Sequence, residues 1–302
     1  MNPYFIQGPA LLAFSGGRTS AYLLRKHLDA HGGQLPDDVH VTFANTGKER
    51  EETLRFVHEC ATRWNVRVRW LEWIDREGKD TDAAARFNEV GFNSASRDGE
   101  PFRRLIARKK YLPNAVSRFC TAELKVNTMK RFMLAQGYDK WTNIVGLRAD
   151  EMRRIAKQQK RNDEGKERWL STWPLLHAGV TKADVWRFWL GKNVNPRDPI
   201  YPLPQGFDLG LWPYEGNCDY CFLKGEQVLA FQERERPGSI DDWIGMEALA
   251  GARFVTEYQY ATIKHNVARQ PLLIPIDPMH LEAEGECGVG GTDNSIRCGA
   301  RR

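Results

Sequence analysis

The stretch Leu11–Ser20 constrains this chain most, because a short apolar run ends there in a Ser-Gly-Gly turn and a helical pattern starts at once. A strand, a glycine turn and a helix start direct backbone N–H groups and the positive end of the helix dipole to one point, where an anion can bind. Gly16 and Gly17 allow the backbone to approach a ligand closely. Hydroxyl donors are added by Ser15, Thr19 and Ser20. The alternative is an ordinary strand-to-helix turn.

Strand and helix patterns alternate through the first half of the chain. The periodicity predicts strands at 11–14, 39–44, 66–73 and 141–145 and helices at 18–31, 51–64 and 181–189. Such alternation predicts an α/β fold with a doubly wound, mostly parallel sheet, in which ligands bind at the carboxyl ends of the strands. Ser15, Asn45 and Gly146 each follow a predicted strand, so we expect three loops to converge on one crevice.

From the length of 302 residues we expect the chain to fold into two parts. An α/β domain is expected over 1–195, with an insertion at about 75–113 that contains some helix near 83–90. Residues 157–168 are strongly polar and predict a mobile loop. Frequent prolines and glycines predict an irregular, partly helical and cysteine-bearing region over 196–302. A basic run between Arg103 and Lys110 is either a solvated helix face or a contact for phosphate or a polyanion.

The net charge and the search for targeting signals narrow the possible classes of protein. The net charge of +5 favours anionic partners only weakly. We find no apolar run long enough for a transmembrane helix and no signal-peptide pattern, so we expect a cytoplasmic protein without a membrane partner. In a reducing compartment the six cysteines are expected to be ligands, nucleophiles or small buried residues rather than disulfides.

Two further loops carry polar groups suited to a nucleotide. Asn45-Thr46-Gly47 ends a predicted strand and could bind ribose or base edges, or could simply cap the following helix. The segment that begins at Gly146 presents Arg148 and Arg153, whose guanidinium groups can bind phosphate or sulfate oxygens. The alternative for the arginines is a salt-bridged surface helix.

Together these loops resemble the phosphoadenosine phosphosulfate reductase family, within the adenine nucleotide alpha hydrolase-like fold. The resemblance covers roughly residues 10–225 and includes Thr172-Trp173-Pro174-Leu175 and Asp184-Val185-Trp186. One departure is Asn45, where the family has Asp. The resemblance implies ATP or phosphoadenosine phosphosulfate as the bound nucleotide. The implied nucleotide-binding residues are Ser15, Gly16, Gly17, Arg18, Thr19, Ser20, Asn45, Thr46, Gly47, Gly146, Arg148 and Arg153, with Arg148 also a candidate catalytic residue.

The cysteines form a second group of candidate functional residues. Cys218-Asp219-Tyr220-Cys221 is a C-x-x-C pair, which can hold one metal or one cluster edge. Cys120 is a candidate third ligand, and its Cys-Thr-x-x-Leu-Lys segment resembles that of family members with a [4Fe–4S] cluster on two cysteine pairs. Here the first pair is reduced to Cys120, so the fourth ligand is Cys298 or Cys287, or one iron stays open. Zinc is the alternative metal, and a metal-free protein is the third option.

Cys287 has three readings. Glu286-Cys287-Gly288 resembles the segment whose cysteine attacks sulfur in sulfonucleotide reductases, which makes Cys287 a candidate catalytic nucleophile. The family's following histidine is absent, because Val289 and Gly290 stand there. Cluster ligand and spare thiol are the other two options.

Two enzymatic functions and one non-catalytic function follow from these features. A sulfonucleotide could be reduced through Cys287 with a thiol reductant protein as partner. Alternatively, ATP could activate an acceptor, such as a nucleobase or a nucleic acid, for sulfur insertion by an Fe–S enzyme. The non-catalytic alternative is a zinc protein that binds nucleic acid through the basic run. The oligomeric state stays open.

Overall fold

The computed structural model describes residues 2–75, 86–216, 218–269 and 281. Its six-stranded sheet has the order β4-β3-β2-β1-β5-β6. The strands are β1 (Ala10–Ala13), β2 (Val39–Asn45), β3 (Val68–Trp73), β4 (Phe87–Val90), β5 (Trp141–Ile144) and β6 (Trp169–Thr172). Strand β4 pairs antiparallel with β3, and all other pairs are parallel. The predicted doubly wound, mostly parallel sheet is therefore confirmed.

The helices follow the strands in the order that the sequence predicts for the first half. They are α1 (Arg18–Ala30), α2 (Glu51–Arg63), α3 (Glu100–Lys109), a π-helix (Thr121–Asn127), α4 (Thr128–Ala135), α5 (Met152–Glu164), α6 (Pro174–His177), α7 (Lys182–Leu190), a 3-10 helix (Pro213–Glu215), α8 (Glu226–Glu235), α9 (Asp241–Ala250) and α10 (Tyr260–Arg269). Within the described residues, no helix is long and apolar enough to cross a membrane.

The strand order reverses at β1. The chain builds β2 and β3 on one side of β1 and then returns to add β5 and β6 on the other side. The loops after β1 and β5 therefore leave neighbouring strands in a doubly wound sheet at its switch point, where such folds bind ligands.

Alternating residues of β1 pack against the two faces of the sheet. Leu12 joins a large apolar cluster with Leu24, Val57 and Trp189. Leu11 and Ala13 belong to a second cluster with Phe132 and Met133 of α4. Burial on both faces is expected for a central parallel strand and fixes the position at which its loop emerges.

A third apolar cluster joins the predicted insertion to the C-terminal helices. Phe102 and Leu105 of α3 belong to it, together with Tyr220, Trp243 and Tyr260. This shared cluster places α3 against the region that carries the C-x-x-C pair.

Two local predictions are wrong. The helix predicted near 83–90 is a strand over Phe87–Val90, because these residues pair with the edge of β3 and Phe87 packs edge-on against Phe132. The mobile loop predicted at 157–168 is a helix as far as Glu164. Its Lys, Arg, Gln and Glu side chains are good helix formers, and Ile155 and Gln158 are its buried contacts.

Candidate functional site

The loop after β1, residues 15–20, is called the glycine loop below. Gly16 has a φ of +78°, and a Cβ built on it would lie 2.6 Å from Thr53 Cγ2 and 3.2 Å from a ring carbon of Phe43. Both the left-handed backbone and the packing on α2 therefore require glycine at this position. Gly17 is different, since the nearest atom to a Cβ there is Ser15 Oγ at 3.7 Å.

Hydroxyl groups hold the glycine loop in shape. Ser20 Oγ donates to the Gly17 carbonyl at 2.9 Å and accepts from the Ser15 N–H at 3.2 Å. The Ser15 hydroxyl, which is exposed, lies 3.1 Å from the same oxygen. Among the residues that the structure describes, no side chain caps the start of α1, and the first turn of this helix contains no acidic residue. The first N–H groups of α1 and its dipole therefore suit an anionic ligand.

The loop after β5, residues 146–151, lies directly against the glycine loop. Arg148 Nη1 donates to Thr19 Oγ1 at 2.9 Å, and Arg148 Nε donates to Asp150 at 3.0 Å. A Cβ at Gly146 would contact Ser20 Cα at 3.7 Å. The structure thus brings together two of the three loops that the sequence predicts to converge, with a guanidinium group at their junction.

Asp150 fixes the orientation of Arg148. Its second oxygen accepts the Lys182 N–H at the start of α7 at 3.0 Å. Burial opposes ionisation of Asp150, but the Lys182 N–H and the Arg148 guanidinium outweigh it, and the pKa of Asp150 lies below its ordinary value. A charged Asp150 holds Arg148 in place before any ligand arrives.

Two of the predicted nucleotide-binding arginines lie in different surroundings. The Arg18 side chain is buried and binds both oxygens of Asp208, with Nε to Oδ1 at 2.7 Å, and the Leu211 carbonyl at 2.7 Å. Its guanidinium therefore anchors the 208–211 segment. Arg153 is exposed near the start of α5.

Asn45, at the end of β2, is fully buried and holds its own loop together. Its Nδ2 donates to Glu72 Oε1 at 2.6 Å and to the Ser96 carbonyl at 2.8 Å, and its Oδ1 accepts the Gly47 N–H. Burial raises the pKa of Glu72. The departure from the family pattern has a local explanation, because an Asp at position 45 would face the Glu72 carboxylate.

The loop after β2, residues 46–50, connects the crevice side of the sheet to the cysteines. Thr46 Oγ1 donates to Glu49 Oε2 at 2.8 Å and lies 3.5 Å from Cys218 Sγ. Glu49 is buried, and its other oxygen lies 3.5 Å from Lys125 Nζ of the π-helix. A short polar chain therefore links the cysteine pair to the π-helix.

Residues 218–221, called the cysteine turn below, are anchored to this β2 loop. The Asp219 N–H donates to the Lys48 carbonyl at 2.8 Å, and the Asp219 carboxylate accepts from Arg50 Nε at 3.0 Å. The Cys221 N–H reaches the Cys218 carbonyl at 3.4 Å, and Tyr220 between them has a φ of +48°. The turn is thus tight and places both cysteines in one buried bend beside Thr46.

Lys224 follows the cysteine turn and was not singled out by its sequence pattern. It is 3% exposed, and its ammonium group has no hydrogen-bond partner among the described residues. Burial lowers the pKa of Lys224 to about 8, while Asp219 and the thiols of Cys221 and Cys218 act to raise it.

Cys120 lies at the start of the π-helix and is half-buried against the apolar cluster that contains Phe119 and Tyr220. Across the described ranges, no three His, Cys, Asp or Glu side chains are grouped closely enough to hold a metal. The structure therefore pairs Cys218 with Cys221 but does not complete a ligand set with Cys120. Cys287 and Cys298 lie outside the described residues.

The basic run belongs largely to α3, and several of its side chains bind carboxylates of this chain. Arg103 pairs with Asp98 and Asp242, and Lys109 pairs with Glu123 at 3.2 Å. Further pairs join Arg104 to Glu100 and Arg108 to Asp75. These contacts favour the solvated-helix interpretation of the run.

The switch-point crevice, the glycine loop and the oriented arginine define a nucleotide-binding α/β protein. Comparison with known proteins gives the family: residues 9–207 match the phosphoadenosine phosphosulfate reductase domain, and the chain belongs to that family. It is 27% identical over 231 residues to an uncharacterized nin region protein of Escherichia phage lambda, covering 76% of this chain and 70% of the phage protein. It is 25% identical over 205 residues to an uncharacterized protein of Methanocaldococcus jannaschii, covering 67% of this chain and 35% of the archaeal protein.

Proposed function

We propose that this chain binds ATP in the switch-point crevice and cleaves it to AMP and pyrophosphate in order to activate an acceptor for sulfur transfer. The observation that carries the proposal is the contact of Arg148 with Thr19 above the uncapped start of α1. A guanidinium group and a row of N–H donors lie side by side there, which supports a single anion site. A polyphosphate chain has the charge and length to use both.

Each group has a defined task in this reaction. The acceptor oxygen attacks the α-phosphorus, and the bond to the bridging α–β oxygen breaks, so that pyrophosphate leaves with the electron pair. The glycine loop holds the departing pyrophosphate, and Arg148 balances the charge that develops on the phosphate oxygens. A sulfur nucleophile such as hydrosulfide then forms a bond to the activated carbon, and AMP leaves with the electron pair of the broken C–O bond.

The cysteine turn fits a metal or an Fe–S cluster in two respects. Two thiols lie in one buried C-x-x-C turn, and the buried ammonium of Lys224 beside them suits an anionic centre. We therefore propose Cys218 and Cys221 as ligands of a [4Fe–4S] cluster, with Cys120 and Cys298 as the further ligands and zinc as the alternative metal. A bound cluster would supply electrons or a site for sulfur.

Thr46 connects the two parts of the proposed site. Its hydroxyl is 3.5 Å from Cys218 Sγ, and it lies in the loop that the family resemblance assigns to the nucleotide. Sulfur chemistry at the cysteines would thus take place beside a loop that the resemblance assigns to the nucleotide.

The nature of the nucleotide products tests the proposal. ³¹P NMR of the protein with ATP, magnesium and sulfide should show AMP and pyrophosphate, and Arg148→Gln should remove this activity while Lys160→Gln keeps it. Lys160 is the matched control because it is an exposed cation of the following helix, α5. Formation of ADP and phosphate, or no turnover with any acceptor tested, would contradict the proposal.

A second candidate is reduction of a sulfonucleotide, which the Glu286-Cys287-Gly288 sequence favours. In that reaction the Cys287 thiolate attacks the sulfonate sulfur and the nucleotide leaves as its phosphate. A thiol reductant then cleaves the enzyme thiosulfonate and releases sulfite. Release of sulfite from phosphoadenosine phosphosulfate with thioredoxin, lost in Cys287→Ser, would establish this candidate in place of the first.

A further inference from the structure

The buried ammonium group of Lys224 needs a negatively charged group close to it. The backbone N–H of Lys224 donates to the Cys221 carbonyl at 2.8 Å, so the residue continues the cysteine turn. Its ammonium group is buried and, in the part of the chain that the structure describes, has no hydrogen-bond partner. An ammonium ion removed from water without a partner costs several kcal/mol, so a stable fold needs an anion near it.

The nearby carboxylate is already engaged. Asp219 accepts from Arg50 Nε at 3.0 Å and also binds Arg236. Arg50 in turn keeps a buried Nη2 without a hydrogen-bond partner among the described residues. Glu215, a second buried carboxylate on Arg50, also binds Arg197. Both carboxylates are therefore shared by two arginines, which leaves the thiols of Cys218 and Cys221 as candidate anions for Lys224.

We infer that Lys224 is a positioning residue whose ammonium is the counter-ion of an anionic metal–thiolate centre at Cys218 and Cys221. The inference rests on the cofactor part of the proposed function. With Cys120 as the third ligand, as proposed above, a divalent metal bound by three thiolates carries a charge of −1, whereas the three thiols are neutral before the metal replaces their protons. A fixed positive charge beside the turn therefore favours the bound state and holds the turn closed around it.

Cobalt(II) is a suitable probe, because its thiolate charge-transfer band reports directly on Co–S bonds. The full chain, stripped of metal, is titrated with cobalt(II) as wild type, Lys224→Met and Lys224→Arg. Cys218→Ser identifies the band. Lys264→Met is the matched control, since Lys264 is a lysine of α10 that pairs with Asp241 at the surface.

The expected result separates charge from structure. Lys224→Met should bind cobalt(II) about 10- to 100-fold more weakly than wild type, as is typical when a group supporting a metal site is lost. Lys224→Arg and Lys264→Met should stay close to wild type. The metal-free Lys224→Met protein should unfold at the same or a higher temperature, because it no longer buries an uncompensated charge.

Several results would overturn the inference. Unchanged cobalt affinity in Lys224→Met would show that the charge is not used. Equal losses in the Met and Arg variants, or a metal-free Met variant that fails to fold, would show that Lys224 acts through its shape. Absence of the thiolate band in the wild type would show that no such centre forms. ATP cleavage measured on the same preparations tests the nucleotide chemistry independently.

Discussion

The two adjacent glycines of the glycine loop should respond to alanine in opposite ways. At Gly16, alanine must adopt a φ of +78° and place its Cβ 2.6 Å from Thr53 Cγ2. The left-handed backbone costs roughly 1–2 kcal/mol, and overpacking of the contact with α2 costs about 1–3 kcal/mol. Gly16→Ala should therefore lower the free energy of unfolding by about 2–5 kcal/mol.

At Gly17, alanine fits the protein without strain. The residue has φ −98° and ψ 163°, which any residue adopts. Within the described part of the chain, its added Cβ would have only Ser15 Oγ, at 3.7 Å, within 4 Å. The free energy of unfolding should stay the same or rise by about 0.4–1 kcal/mol. The methyl group would instead occupy the space that a phosphate needs, so nucleotide affinity should fall by about tenfold or more, a loss of about 1.4 kcal/mol.

Urea denaturation and isothermal titration with ATP measure the two effects on the same preparations. The combination expected is an unstable Gly16→Ala and a stable Gly17→Ala that binds ATP poorly. A Gly17→Ala protein with wild-type affinity would refute the placement of phosphate on this loop. A Gly16→Ala protein with unchanged unfolding would refute the packing argument.

Three further substitutions test the surroundings of the site. Arg18→Ala should lower the free energy of unfolding by about 3–5 kcal/mol in urea denaturation, because Asp208 is left buried without its partner. Asn45→Asp should destabilise the fold by about 1–3 kcal/mol, and the loss should be larger at about pH 8 than at about pH 5. The reason is that a second carboxylate beside Glu72 is tolerated only when one of the two is protonated. Equal melting temperatures of this variant at the two pH values would contradict this prediction. Burial lowers the pKa of His27 from 6.5 to about 4. As the pH falls from 6.5 to about 4, the unfolded chain therefore takes up a proton before the folded chain does, and the protein loses up to about 3 kcal/mol of stability. His27→Gln should remove this loss, which melting curves recorded at a series of pH values measure.

The sequence predicts strands β1, β2, β3 and β5 because these depend on local patterns, but it does not predict β4 or β6. The apolar alternation of β1 and the glycines at 16 and 17 are short-range signals, and the structure confirms the strand, the turn and the helix. The contact between Thr19 and Arg148 depends on β1 and β5 being neighbours in the sheet.

The roles of individual polar side chains depend on residues far away in the chain. The partners of Asn45 are 27 and 51 residues distant, and Arg18 binds a carboxylate 190 residues away. The burial of Lys224 likewise comes from packing around the cysteine turn, which no spacing rule describes. Polar helices such as α5 are missed for another reason. Their residues have high helix propensity but no broad apolar face, so their sequence pattern looks like that of a polar loop.

Hydrogen–deuterium exchange with and without ATP tests most directly whether the three loops form one nucleotide site. The account predicts that ATP slows exchange in peptides covering residues 15–20, 46–50 and 146–151 together, because a bound nucleotide suppresses their local opening. Exchange in α3, the helix of the basic run, should not change. Unchanged exchange in the glycine loop at saturating ATP, or protection confined to α3, would contradict the central claim.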